Sequence, residues 1–156
     1  MIDRLSYIAG FIDGEGCITI VKSNKGIKIG GKNMNFFPMI IIVNTNKEIL
    51  EWINEFFSGI GNLHCYKAKH NTNRKDCFRL QYTNQKALIV AKLINDYLII
   101  KKEQCQIAIE LYEKVIENNQ KRANNLLCSD EINRREYLFQ KITKLNKKGR
   151  NENNNN

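Results

Sequence analysis

Ile8-Ala9-Gly10-Phe11-Ile12-Asp13-Gly14-Glu15-Gly16 is the stretch that decides how this chain folds. Leu5, Ile8 and Ile12 recur at helical spacing and give one apolar side for a core. Ser6, Gly10 and Gly14 lie four apart on another side, a ridge with almost no side chain. A second helix can approach such a ridge very closely. Gly14 and Gly16 are expected to end the helix and leave Glu15 at its C-terminal tip. A helix C-terminus carries partial negative charge and favours Lys or Arg, yet Asp13 and Glu15 add more negative charge here. That costs stability unless a cation sits beside them. Hard oxygen ligands at a helix C-terminus suit Mg²⁺, which takes few carboxylates and completes its shell with water and phosphate oxygens. The plain alternative is a solvated acidic turn ahead of a strand.

Residues 8–16, IAGFIDGEG, resemble the LAGLIDADG motif of homing endonucleases, with the eighth motif position kept acidic as Glu15. The motif occurs once in the 156 residues. One-motif members of that family are homodimers, and two-motif members are monomers of double length. The resemblance implies an α+β fold of order αββαββα, with an antiparallel sheet laid on double-stranded DNA and extra C-terminal helices. It implies an intron- or intein-type endonuclease that makes a staggered, Mg²⁺-dependent double-strand cut at a long, near-palindromic site, with Mn²⁺ as a substitute metal. Glu15 becomes the metal ligand, helped by the main-chain carbonyl of Gly14. Ser6, Ala9, Gly10, Asp13 and Gly14 become the dimer interface.

In the same family a lysine at a helix start faces the negative charge that gathers during phosphoryl transfer. The segment Leu98-Ile99-Ile100-Lys101-Lys102-Glu103-Gln104 matches, with Lys101 in place and Lys102 one residue off. Otherwise Lys101 is a solvated charge. A polar residue ending the second strand often orders active-site water in relatives. Asn44 and Asn46 are the candidates, and both also read as helix caps. The rival is a binding protein of the same fold that does not cut, such as a maturase acting on its own intron RNA or a transcription regulator. A more distant rival is a basic interaction module whose acidic turn is only a turn.

Net charge +9 and a pI near 9.4 favour a polyanionic partner, nucleic acid first. The longest apolar run, Phe36 to Val43, is interrupted by Pro38 and is too short to span a bilayer, so no membrane partner is expected. No secretory leader pattern opens the chain. Five cysteines without a C-x-x-C pair read as reduced packing thiols, and His64, Cys65, His70 and Cys77 fit no common zinc spacing. Asn, Ile and Lys supply 62 of 156 residues. Their codons are rich in A and T, which points to an A/T-rich genome, organellar or that of a bacterium or phage.

After the first helix, residues 17–23 read as a β-branched strand. Residues 24–35, rich in Gly and Lys, read as a long polar connection, and Phe36 to Val43 as a second strand. A helix is expected from about Lys47 to Phe57, and a second hairpin from Leu63–Lys69 and Cys77–Thr83. Helices then cover 85–96, about 101–117, and 130 or 131 to about 146. The expected organisation is a core over residues 1–117, a helical extension over 118–146 and a low-complexity tail over 147–156.

A two-stranded ribbon fits the major groove and offers alternate side chains to base edges. Arg79 and Gln81 share one face of the fourth strand, away from Phe78 and Leu80. His64 and Tyr66 line the third, with Lys67 and Lys69 near its tip and Arg74 and Lys75 in its loop. On the first hairpin the candidates are Thr19, Ser23, Lys25, Lys28 and Lys32. Lysine serves mostly phosphates, whereas Arg and Gln pair bidentately with guanine and adenine.

Overall fold

The structure is a computed structural model that describes residues 3–29, 32–68, 75–120 and 129–147. Its elements are α1 (Arg4–Glu15), β1 (Gly16–Ile29), β2 (Lys32–Asn44), α2 (Lys47–Phe56), β3 (Asn62–Tyr66) and β4 (Cys77–Thr83). There follow α3 (Gln85–Ile94), a 3-10 turn (Asn95–Tyr97), α4 (Lys102–Gln120) and α5 (Ser129–Lys147). The four strands form one antiparallel sheet in the order β1-β2-β4-β3. This is the expected α+β arrangement, two hairpins joined edge to edge through β2 and β4.

The Asp3 carboxylate starts α1 by accepting the Leu5 N–H at 3.1 Å and the Ser6 hydroxyl at 2.6 Å, the usual service of an N-cap acid to orphan donors. At the other end Gly16 is extended, with φ −91° and ψ 167°. Glycine is required there for space and not for a left-handed backbone. A Cβ on Gly16 would lie 2.7 Å from the Ile12 carbonyl oxygen. Gly14 lies inside the helix, so it does not end it.

One face of the sheet carries the core. Ile18, Ile40, Ile42, Leu80 and Tyr82 alternate inward along their strands and meet Ile8, Ala9 and Ile12 of α1 and the inner faces of α2 and α3. A second apolar cluster joins Ile20 and Phe36 to Ile107 and Leu111 of α4 and to Leu138 and Ile142 of α5. The helix α5 is tied to the sheet edge in two places. Glu136 pairs with Lys22 at 2.7 Å, and the Asn146 amide donates to the Ile18 carbonyl at 3.0 Å. Covering an edge strand in this way blocks unwanted pairing.

The polar connection expected over 24–35 is instead mostly strand. β1 runs on to Ile29 and β2 begins at Lys32, with a register shift between Ser23 and Lys28. Main-chain pairing needs no particular side chain, and the shift absorbs the mismatch in length. Pro38 is accommodated because the β2–β4 ladder starts only at Met39. The Pro38 carbonyl accepts the Asn84 N–H at 3.1 Å, so its ring nitrogen faces the β4 side at the end of that ladder, where a missing N–H is tolerable.

Candidate functional site

The tip of α1 is fixed by Asp13. Its carboxylate accepts the main-chain N–H groups of Ile99 at 2.8 Å, Ile100 at 3.1 Å and Lys101 at 2.9 Å. These donors lead into α4, so an acid from one helix caps the N-terminus of another, where negative charge is favoured. Asp13 was expected on the dimer face, and this is a correction: it is 8% exposed and engaged within its own chain. Ala9 is corrected likewise, for it is fully buried in the core. Of the expected dimer face, Ser6, Gly10 and Gly14 remain exposed, and Arg4, Tyr7 and Glu15 are exposed on the same helix.

Lys101 is not a freely solvated charge. Its Nζ donates to the main-chain carbonyl of Asp13, one of the unsatisfied carbonyls at the end of α1. The last turn of α1 contains no basic residue of its own, and Lys101 brings the missing cation from the segment just ahead of α4. Glu15, two residues on, is exposed at the same tip. Lys102 already belongs to α4.

Gly16 pairs with Ile42, which places the end of β2 beside this tip. Asn44 and Asn46 both work as local caps there. The Asn44 side-chain oxygen accepts the Asn46 N–H at 2.8 Å, and that of Asn46 accepts the Ile49 N–H at 3.2 Å. Each keeps its amide NH₂ outside those bonds.

The sheet face opposite the core holds six of the thirteen expected DNA contacts. Register sets Thr19 and Ser23 on β1, His64 and Tyr66 on β3, and Arg79 and Gln81 on β4 on this open face. His64 stands directly opposite Arg79. Arg79 reaches the Met39 sulfur with Nη2 at 4.0 Å, while its Nε has no partner. Cys17 shares the face. Burial pushes its thiol up, against a smaller downward pull from the charges of Lys101 and Arg79. Lys67 and Lys75 are exposed just beyond β3 and β4. Lys25, Lys28 and Lys32 lie within the far part of the first hairpin, and Lys69 and Arg74 lie outside the described residues.

The family model described as LAGLIDADG endonuclease matches residues 8–116. The chain belongs to this family.

Solved structures agree on the fold. One is the homing endonuclease I-CvuI in complex with a DNA target, at 16% identity and TM-score 0.69, covering 91% of this chain and 81% of that one. Another is an archaeal intron-encoded homing endonuclease complexed with DNA, at 23% identity and TM-score 0.67, covering 94% and 86%. The meganuclease I-SmaMI bound to DNA matches at 16% identity and TM-score 0.65, covering 90% of this chain but 45% of that one. This chain thus corresponds to one half of the longer protein.

Two polar open-face residues were not singled out by sequence. Asn62 stands opposite Gln81, and Thr83 opposite Met39. Two-residue alternation from His64 and Gln81 would have found both. The pin made by Asp13 left no such trace, because its partners lie 86 to 88 positions away.

Proposed function

We propose that this LAGLIDADG chain is a homodimeric DNA homing endonuclease that makes a Mg²⁺-dependent staggered cut at a long, near-palindromic duplex site. One observation supports this above the others. A Cβ added at Gly10 or at Gly14 would meet nothing within 4 Å. Nothing inside the subunit calls for glycine at either place, and each costs about 1 kcal/mol relative to alanine in a helix. A second copy docked on the Ser6/Gly10/Gly14 ridge supplies the reason. A two-fold axis running along α1 then sets the two Glu15 tips side by side, one for each DNA strand.

Glu15 and the Gly14 carbonyl are the groups that would hold the metal. Among the described residues no three His, Cys, Asp or Glu side chains form a ready-made cage. A single carboxylate with carbonyl help fits Mg²⁺, which keeps its remaining positions for water and phosphate oxygens. When bound, it supplies an activated water and support for the leaving 3′ oxygen. The chain's own residues do the rest. Lys101, held at the end of α1, faces the charge that builds on the phosphate, a stabilisation that needs no rearrangement during reaction. Asp13 fixes Lys101 through its backbone. Asn44 and Asn46, at the mouth of the tip, have amide donors left to orient water.

The test is a randomised DNA duplex library incubated with the protein and Mg²⁺, followed by sequencing of the cut ends. Wild type should yield staggered ends at one related set of sites. Glu15→Gln should retain the same DNA and cut none of it. DNA that is retained but uncut by wild type would replace this reading with a non-cutting binder of the same fold.

A further inference from the structure

The open face of an antiparallel sheet usually alternates with the core and is polar. Strands β3 and β4 follow that rule, but β2 does not. Phe36, Pro38, Ile40 and Ile42 point to the core, yet Phe37, Met39 and Ile41 are half-buried on the open side and Val43 is 40% exposed there. None of these four belongs to either core cluster. Val21 of β1 stands opposite Phe37 and lengthens the row. Its β4 border is polar and its β1 border mixed, with Cys17 opposite Ile41. Thr19 lies opposite Met39 on β1, while Thr83, Gln81 and Arg79 lie opposite Met39, Ile41 and Val43 on β4.

An apolar row in the middle of a polar face does not suit a phosphate backbone, which wants cations and N–H donors. It does suit one feature of the major groove. Thymine alone presents a methyl group there, and apolar side chains read it by contact. The polar β4 border suits the rest: Gln pairs with adenine and Arg with guanine. Charge fits the same occupant, for the chain carries +9 and Arg79 stands on this face beside Val43.

We infer that β2 is a thymine reader, and that each half of the target places thymines under Met39, Ile41 and Val43. This rests on the DNA reading above and names the sequence class that reading leaves open. The coding of the chain agrees, since DNA from an A/T-rich genome offers many such steps.

The test begins with the duplexes retained from the randomised library. Selected sites should hold thymine at a short, fixed set of positions in each half. The best site is then remade with deoxyuridine for one thymidine at a time, which removes a methyl group and leaves base pairing intact. Each change under β2 should weaken binding about fourfold, the worth of one buried methyl. Thymidines elsewhere in the site should be indifferent. Ile41→Ser, which removes both apolar branches on the open face, should abolish the thymidine–deoxyuridine difference at one position and leave the others. Selected sites with G·C pairs at those positions, or deoxyuridine without effect, would overturn the inference while the DNA reading stands. A library from which no duplex is retained would overturn both.

Discussion

The tip of α1 and the open face of the sheet adjoin one another and are built on opposite plans. At the tip, side chains are committed to main chain. Asp13 takes three N–H groups, and Lys101 takes a helix-end carbonyl. On the open face, side chains have few such ties, and Arg79 keeps a donor without a partner. The tip is therefore organised before any ligand arrives, and a change there disturbs several contacts at once. Changes on the face should act singly and in proportion to the contact removed. Chemistry tolerates little displacement, whereas recognition can be spread over many small contributions.

Three substitutions test that contrast, the largest effect first. Asp13→Ala strips the cap from α4 and leaves three N–H groups without their acceptor. Hydrogen bonds to a charged group are worth about 1.5–3 kcal/mol each, so denaturant unfolding should report a loss of about 3 kcal/mol or more, and cutting should fall further than the folded fraction does. Unchanged stability would mean that the tip is not pinned as described. Gly10→Leu is expected to prevent close docking and yield monomers by sedimentation, with cutting lost. Within the monomer a Cβ at this position meets nothing within 4 Å, and leucine improves helix propensity by up to about 1 kcal/mol. A dimeric, active Gly10→Leu protein would dismiss the interface. Arg79→Ala should behave as a face residue, weakening DNA binding by about 1–3 kcal/mol and relaxing preference at one base pair. If it instead abolished cutting at saturating DNA, Arg79 would belong with the tip.

The sequence was most legible where local spacing and a sharp motif coincided. Leu5, Ile8 and Ile12 announced the buried side of α1, and alternation along Phe78–Tyr82 announced which way β4 faces. The resemblance singled out Glu15 and Lys101, which both stand at the α1 tip, but it did not show how Lys101 is held. That grip depends on Asp13 meeting the start of α4 across most of the chain, and no local pattern records a contact of such range. Residues 24–35 misled because Gly and Lys favour loops, whereas the observed ladder is made by backbone pairing that composition hardly influences. Asn44 and Asn46 stayed double in meaning, since a cap and a water-orienting amide require the same residue type. Ala9 was misplaced by one step around a helix: it adjoins the glycine ridge in sequence but turns inward with Ile8 and Ile12.

The first hairpin outruns the second. β2 pairs with β4 only from Met39 to Asn44, while β1 and β2 continue together past Ser23 and Asn35 to Ile29 and Lys32. Near the α1 tip the sheet is four strands wide, and farther out it narrows to a two-stranded tongue. Anyone retargeting this protein would meet two different problems. Bases addressed by the tongue could be recoded within one hairpin. On the DNA reading proposed above, bases beneath the broad part would require concerted changes on both, because side chains there have neighbours on the next strand.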